Sequence, residues 1–318
     1  IGMGNFKFKV ALNYCKEYEE KSKQTLNLFN DFITPSFIAT IAAFVKSHNI
    51  KRSNFTYHGD DSYLTTIGFY NEIWNEPFDL NRHKNGDSYS PLILLDDPNK
   101  TDSATSTINK CIRNKLKNDS SHVNELYEVI GELHDNVWSH GQGLGFSIAQ
   151  YYPTRNIIEF AIVDCGKGFL RELNSANVPG INNHEDAIKW CIKRGNSSKK
   201  YKEEFDDGWG QWVPEDITYS SNAFAQAKIP QVSSRDENHH EGLGLAKLVD
   251  LVKNTRGNLQ IISGDTILDI QNGSDEEKYC RISYPWNGVI IGCSIPTNTV
   301  YTSTSNKDFD DLLSLMTK

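Results

Sequence analysis

The sequence lacks any apolar run long enough to cross a membrane. A membrane-spanning helix needs about 20 consecutive apolar residues, and the apolar stretches of this chain, such as Leu92–Leu95, fall far short of that length. The opening segment Ile1–Asn5 also lacks the hydrophobic core of a signal peptide. We therefore expect a cytoplasmic protein that has no contact with a membrane.

Cysteine pairs with the spacing of a metal site are missing as well. The six cysteines are scattered without a Cys-x-x-Cys motif, which favours reduced thiols over a zinc site or a disulfide framework. A basic excess is also absent, because 33 Lys and Arg stand against 41 Asp and Glu, for a formal net charge of −8. Binding to nucleic acid requires a basic surface that neutralises phosphates, so we do not expect nucleic acid as a partner.

The chain contains no phosphate-binding loop of the Gly-x-x-x-x-Gly-Lys-Ser/Thr type and no internal repeat. What it does contain is an ordinary globular composition, with 38% hydrophobic and 23% charged residues among 318. At about 150 residues per domain, this length predicts two domains. The alternation of short strand and helix patterns predicts an α/β fold class.

A long helical pattern surrounds Gly131–His140. Its apolar positions recur at three- and four-residue spacings, which is typical of a buried helix face. These positions are Leu126, Val129, Ile130, Leu133 and Val137. Glu132, Asn136 and His140 are four residues apart on a different face. A carboxylate and an amide stacked in this way can share one water and one cation, although Glu-x-x-x-Asn alone is more often a solvated polar face.

Two glycine-containing motifs follow this helix. The β-rich apolar run Ile157–Val163 leads into Asp164, which is followed by Gly166 and Gly168. Further on, Glu241–Ala246 reads Glu-Gly-Leu-Gly-Leu-Ala and begins another helical pattern. A simple turn explains either motif when it stands alone, but it does not explain three motifs in this order and in fitting secondary structure.

The three motifs together resemble the ATP site of the gyrase, heat-shock chaperone, histidine kinase and MutL superfamily. The resemblance covers roughly residues 120–296. It implies a Bergerat-type ATP-binding domain, an α+β sandwich in which helices cover a mixed sheet. It also implies ATP and Mg²⁺ as cofactors.

The same resemblance implies a role for each motif. Glu132 would orient and deprotonate the water that attacks the γ-phosphate, and Asn136 would ligate Mg²⁺ through its amide oxygen. Asp164 would accept a hydrogen bond from the adenine amino group. Free N–H groups at the start of the last helix would face the triphosphate. The other residues of the implied ATP site are Asp135, His140, Gly166, Gly168, Gly242, Leu243, Gly244 and Leu245.

His140 has an equally good second interpretation as an ordinary surface histidine. The segment from Phe169 to Glu241 corresponds to the variable lid of the superfamily and includes the polar turn Arg194–Lys199. The tryptophans Trp209 and Trp212 in this segment would either form a surface for a partner or pack the lid.

The N-terminal part predicts a small α/β domain of its own. We expect strands over Phe6–Leu12, Asn30–Thr34 and Asn54–His58. We also expect one helix that starts at Pro35 and another over Ser62–Trp74 that is interrupted at a glycine.

The pattern of Phe32–Val45 followed by Tyr63–Phe69 resembles the STAS domain of anti-sigma-factor antagonists. Switch-type members of that family carry a phosphorylatable serine, but Pro35 stands at the matching position here, which argues against phosphorylation. Ser36 then serves as a helix-start residue. The predicted domains are a STAS-like domain over 1–97, an ATP-binding domain over 98–300 with a lid at about 169–241, and a tail over 301–318.

Further elements are predicted around the motifs. We expect helices over Thr101–Lys117 and Glu185–Lys193, and strands over Leu92–Leu95, Asn258–Gly264 and Gly288–Pro296. The first of these helices would connect the two domains.

These expectations describe a Mg²⁺-dependent ATP-binding protein that hydrolyses ATP slowly or switches conformation with nucleotide. It would regulate a protein partner or a second copy of itself. Two alternatives stay open: a protein Ser/Thr kinase similar to the anti-sigma-factor kinases, and a non-catalytic module that uses ATP as a structural ligand. A two-component histidine kinase is disfavoured, because no helical hairpin with a phosphoacceptor histidine precedes the ATP motifs.

Overall fold

The structure is a computed structural model. The part of the chain that it describes comprises residues 6–21, 25–29, 32–78, 87–116, 121–141, 144–198 and 243–297. Within these ranges, only the backbone is described for 121–123 and 138–141. Gly242, the lid beyond Ser198 with its two tryptophans, and the predicted tail over 301–318 therefore lie outside the described residues.

The N-terminal part alternates helices with two short strands. In chain order the elements are α1 (Phe8–Glu20), β1 (Leu26–Leu28), α2 (Pro35–Ser47), β2 (Phe55–Tyr57), α3 (Ser62–Thr66) and α4 (Phe69–Trp74). Strands β1 and β2 pair in parallel as a small two-stranded sheet. Gly68 separates α3 from α4 in a left-handed conformation, at φ 77°, so the predicted interruption of this helix at a glycine is confirmed.

The strand predicted over Phe6–Leu12 is wrong, because this segment leads into helix α1. The buried residues of the helix are three or four positions apart rather than two, as one helix face requires. They are Phe8, Ala11, Leu12, Cys15 and Tyr18. Seven residues were too few to separate a strand alternation from the start of a helical stripe.

The strand predicted over Asn30–Thr34 is also wrong where this segment is described. The strand of this region is β1, and Thr34 instead caps helix α2, since its side-chain oxygen accepts a hydrogen bond from the Phe37 N–H at 3.3 Å. Pro35 occupies the first turn of α2, as predicted. Every residue of α2 from Pro35 to Val45 is buried.

The rest of the chain builds a larger sheet and its covering helices. The elements are β3 (Ile93–Leu94), α5 (Pro98–Lys115), α6 (Ser121–Gly141), β4 (Gly145–Tyr152), β5 (Ile157–Asp164), α7 (Gly168–Ser175), α8 (His184–Cys191), α9 (Gly244–Thr255), β6 (Asn258–Ile270) and β7 (Lys278–Pro296). The strand order is β3-β4-β5-β7-β6. All of the helices and strands predicted here are present, although β3 is shorter and β6 and β7 are longer than expected.

The larger sheet is antiparallel in each of its described ladders, not mixed as we expected. Two of the ladders join consecutive strands through short connections, 153–156 between β4 and β5 and 271–277 between β6 and β7. Such short connections can join only antiparallel neighbours, because a parallel pair needs a crossover of a dozen residues or more.

Helices cover both faces of the larger sheet. One face packs against α1, α2, α3 and α4 in a single apolar core that includes Phe37, Phe44 and Ile148. The other face packs against α5, α6 and α9 in a second core that includes Ile130, Phe160 and Leu248. Mixed α/β structure around an antiparallel sheet belongs to the α+β class. The predicted division into domains stays a prediction.

Across the described ranges, no helix combines the length and the apolar character that a membrane crossing would need.

Candidate functional site

One face of helix α6 packs in the apolar core, and another face lines a cleft. The apolar face predicted from the sequence is confirmed, because each of its residues is at most 4% exposed. These residues are Leu126, Val129, Ile130, Leu133 and Val137. Glu132 and Asn136, one helical turn apart, line a cleft between α6, the sheet, α7 and the start of α9. The helix therefore holds the carboxylate and the amide on one rigid wall.

The cleft collects residues from three distant segments of the chain. Glu132 and Asn136 come from α6, Asp164 and Gly168 from the β5–α7 junction, and Gly244 with Leu245 from the start of α9. The empty space amounts to about 1030 Å³, counting the open mouth.

Apolar side chains form most of the remaining wall. They are Leu133, Val137, Ile162, Phe169, Leu173, Val289 and Ile291. The cleft therefore combines an apolar wall with polar and charged groups, as sites for small molecules do.

The Asp164 carboxylate is fixed by the backbone around it. Its Oδ1 accepts a hydrogen bond from the Gly166 N–H at 2.8 Å, and its Oδ2 accepts one from the Val289 N–H at 3.1 Å. The Trp286 indole N–H donates to the Asp164 carbonyl oxygen at 2.8 Å. These bonds fix the orientation of Asp164, which lines the cleft.

Gly288 is needed for this arrangement. Its φ is 117°, a conformation that L side chains rarely adopt, and a Cβ there would overlap the Asp164 carbonyl oxygen. The Asp164 loop and strand β7 can therefore approach each other only with glycine at this position.

The Glu132 carboxylate contacts the first turn of α9. Its Oε1 accepts a hydrogen bond from the Gly244 N–H at 2.8 Å. A Cβ at Gly244 would lie 2.7 Å from the Glu132 Cδ, so a larger residue there would displace the Glu132 carboxylate. One turn earlier on α6, Glu128 pairs with Lys247 of α9 at 3.4 Å.

His134 anchors α6 from behind the cleft. It is fully buried, with Nδ1 2.7 Å from Thr105 Oγ1 of α5 and Nε2 2.7 Å from Ser147 Oγ of β4. The Thr105 hydroxyl proton is committed to the Thr101 carbonyl oxygen, so Nδ1 carries the histidine proton and Nε2 accepts from Ser147. Burial lowers the pKa of His134 from 6.5 to about 3.

The far wall of the cleft comes from residues to which the sequence assigned no role. Trp190 lies on α8, and Asn196, Ser197 and Ser198 belong to the turn after it. The Asn196 side-chain amide donates to the Trp190 carbonyl oxygen at 2.8 Å, which fixes the turn to the helix. The sequence signal was the polar turn Arg194–Lys199, but nothing in the pattern placed it in the cleft.

Other predicted site residues lie next to the cleft or are not fully described. Gly166 acts through its N–H on Asp164, and Leu243 is the residue immediately before α9. Asp135 lies on α6 but is not among the residues lining the cleft. The backbone of His140 belongs to α6, although its side chain lies outside the described part, as does all of Gly242.

The described residues contain no group of three or more His, Cys, Asp or Glu side chains that could hold a metal ion. Asn136 supplies one amide oxygen to the cleft, with Glu132 one turn away. This donor set fits Mg²⁺ that takes its other ligands from phosphates and water, as Mg²⁺ at nucleotide sites usually does. It does not fit a metal site built from protein ligands alone.

Comparison of the chain with models of protein families, with curated proteins and with solved structures gave no match.

Proposed function

We propose that this chain is a cytoplasmic, Mg²⁺-dependent ATP-binding protein of the gyrase, heat-shock chaperone, histidine kinase and MutL superfamily, with a Bergerat-type fold. The observation that carries the proposal is the cleft that Glu132, Asn136, Asp164 and Gly244 line together. These residues come from three motifs spread over more than 110 positions, and the order and chemistry of the motifs match the ATP site of that superfamily.

In this proposal the adenine ring lies along the apolar part of the cleft. The Asp164 carboxylate, which the Gly166 and Val289 N–H groups orient, accepts the hydrogen bond of an adenine amino group. Val289 and Ile291 line the same part of the cleft and offer apolar surface to the ring. The N–H groups at the start of α9 face the phosphate end, where a helix N-terminus favours negative charge.

The catalytic part of the proposal concerns Glu132 and Asn136. Mg²⁺, when bound, neutralises charge on the phosphates. Asn136 donates its amide oxygen to that ion, and Glu132 orients a water and takes its proton. We propose that slow hydrolysis, or a conformational change driven by nucleotide, regulates a protein partner or a second copy of the chain.

Two other functions fit the same cleft. In a protein Ser/Thr kinase similar to the anti-sigma-factor kinases, Glu132 would act on a hydroxyl group instead of water. The proposed STAS-like region over residues 1–97 favours this alternative, whereas Pro35 at the phosphoacceptor position disfavours phosphorylation within the chain. In a non-catalytic module, ATP would serve as a structural ligand.

Incubation with γ-labelled ATP and Mg²⁺ separates the three functions. Free phosphate indicates hydrolysis, labelled protein indicates a kinase, and retention of intact ATP indicates a binding module. For hydrolysis we expect Glu132→Ala to lower turnover by about 100-fold or more, which is the usual contribution of a general base. Glu128→Ala on the same helix is the matched control and should turn over at the parental rate. Equal turnover by Glu132→Ala and the parent would show that Glu132 is not the general base.

A further inference from the structure

The Glu132 carboxylate occupies the start of α9 in a way that an anionic ligand would. Besides the 2.8 Å hydrogen bond from the Gly244 N–H, both of its oxygens lie close to the Gly244 backbone. A Cβ at Gly244 would be 2.9 Å from Oε2 and 3.0 Å from Oε1. The carboxylate therefore lies against the N-terminal turn of a twelve-residue helix.

Among the described residues, which begin at Leu243 here, helix α9 has no negative group of its own at this end. Its first turn contains no acidic residue, and the side chain of Leu243, which precedes the helix, makes no capping hydrogen bond. A helix N-terminus with unpaired N–H groups attracts negative charge. Glu132 supplies that charge from α6, so it acts as a cap contributed by another helix.

The contact also lies inside the cleft, because Glu132, Gly244 and Leu245 all line it. A phosphate group that approached the N–H groups of α9 would meet a carboxylate that already holds one of them. Two anions cannot share one N–H donor in a site of reduced dielectric without strong repulsion. The two groups must therefore compete.

We propose that Glu132 is a displaceable internal occupant of the phosphate end of the cleft. This inference rests on the proposed function. A polyphosphate ligand must push the Glu132 carboxylate off Gly244, whereas a nucleoside without phosphates can fill the apolar part and leave the contact intact. Displacement also releases the carboxylate from its hydrogen bond, so binding of the triphosphate itself makes the candidate base available.

The two helices do not need this contact to stay together. The Glu128–Lys247 ion pair also joins α6 to α9. Leu248 and Val252 of α9 share a buried apolar core with Leu133 of α6. Displacement of Glu132 is therefore a local side-chain movement, and a Glu132→Gln variant keeps both its fold and its side-chain volume.

The test is a calorimetric titration of three proteins with the β,γ-imido analogue of ATP plus Mg²⁺ and, separately, with adenosine. The proteins are the parent, Glu132→Gln and Glu172→Gln. Glu172 lines the same cleft, and its Oε1 accepts a hydrogen bond from Ser198 at 3.5 Å. Its glutamine variant therefore removes the same charge without touching the proposed contact.

We expect Glu132→Gln to bind the triphosphate analogue about tenfold more tightly than the parent, the ratio that corresponds to one charge-assisted hydrogen bond. The gain of Glu132→Gln should be specific to the phosphates, so its ratio of triphosphate to adenosine affinity should rise about tenfold over that of the parent, and the same ratio should rise clearly less in Glu172→Gln. Amide exchange at Gly244 in the ligand-free protein should be faster in Glu132→Gln, because its N–H loses a charged acceptor.

Equal or weaker triphosphate binding by Glu132→Gln would overturn the competition while leaving the proposed function in place. An equal gain in Glu172→Gln would assign the effect to net charge and would also overturn it. An unchanged rate of amide exchange at Gly244 would show that Glu132 does not accept a hydrogen bond from this N–H in solution. Absence of binding of either ligand to all three proteins would overturn the proposed function, and the competition with it.

Discussion

Helices α2 and α6 pack against opposite faces of the same sheet, and they use their residues in opposite ways. Helix α2 buries every residue from Pro35 to Val45. Helix α6 buries one apolar face and directs Glu132 and Asn136 into a cleft. A helix that is enclosed on all sides contributes to stability, whereas a helix that keeps a polar face free of packing can contribute to a site.

Strand β5 repeats the contrast within a single element. Glu159 faces α2, is only 3% exposed, and accepts a hydrogen bond from the Ser36 N–H at 3.3 Å. Asp164, at the end of the same strand, lines the cleft. Burial raises the pKa of Glu159 to about 7, even though the Ser36 N–H acts in the other direction. The α2 side of β5 therefore holds a carboxyl group in the core, and the other side presents one to the cleft.

The largest expected effect is a loss of stability when a buried side chain of helix α2 is truncated and leaves a cavity in the core. Phe37 is fully buried, so Phe37→Ala should lower the free energy of unfolding by about 4 kcal/mol. The ATP affinity of the protein that remains folded should not change. Denaturant titration and calorimetry measure the two quantities. Val10→Ala on α1 is the control, because Val10 is 40% exposed and should cost less than about 0.5 kcal/mol. Loss of ATP affinity in folded Phe37→Ala would contradict the separation of the two faces.

The next effect concerns the pH dependence of stability. The pKa of Glu159 is raised from 4.5 to about 7. Its stabilising contribution to the free energy of unfolding is therefore complete below pH 4.5 and is lost as the pH rises through 7. The pKa of His134 is lowered from 6.5 to about 3. Its stabilising contribution to the free energy of unfolding is therefore complete above pH 6.5 and is lost as the pH falls towards 3. Between pH 4.5 and 6.5 the two groups oppose each other, each by about 1.4 kcal/mol per pH unit.

Single variants should expose the two slopes. The stability of Glu159→Gln relative to the parent should rise with pH across the window from 4.5 to 6.5. The relative stability of His134→Gln should fall with pH across the same window. Denaturant titrations at several pH values measure both differences. Parallel pH profiles for the parent and for either variant would show that the buried group does not titrate as described.

A smaller effect should appear at Asn136. Asn136→Ala should lose about tenfold in ATP affinity when Mg²⁺ is present, the cost of one ligand interaction. Its affinity without Mg²⁺ should stay unchanged. Asn136→Asp keeps an oxygen ligand and should retain the dependence on Mg²⁺. If Asn136→Ala responds to Mg²⁺ as the parent does, the residue does not contact the ion.

The elements that carry the motifs could be predicted from the sequence because their patterns are long. The apolar spacing in α6 extends over three turns, and the run that forms β5 is apolar from Ile157 to Val163 except at Glu159. The helical pattern predicted after Gly244 is present as helix α9. This helix buries Leu248, Val249 and Val252, and Leu245 is half-buried. In contrast, Phe6–Leu12 contains too few residues for its period to be read.

Features set by tertiary packing could not be predicted. Lys278–Tyr284, the first part of β7, contains no fully buried residue, so no apolar run marks it as a strand. The far wall of the cleft has a similar cause. The pattern of α8 predicts a buried face, but only the packing of α8 against β6 brings Trp190 and the turn after it opposite Asn136.

The central claim is that one cleft binds ATP, and calorimetric titration of the parent protein with ATP tests it most directly. We expect saturable binding at one site per chain, tighter with Mg²⁺ than without it, with a Kd below about 1 mM. Asp164→Asn, which replaces one acceptor oxygen by a donor, should bind markedly more weakly. No binding by the parent at millimolar ATP, or identical binding by Asp164→Asn, would contradict the account.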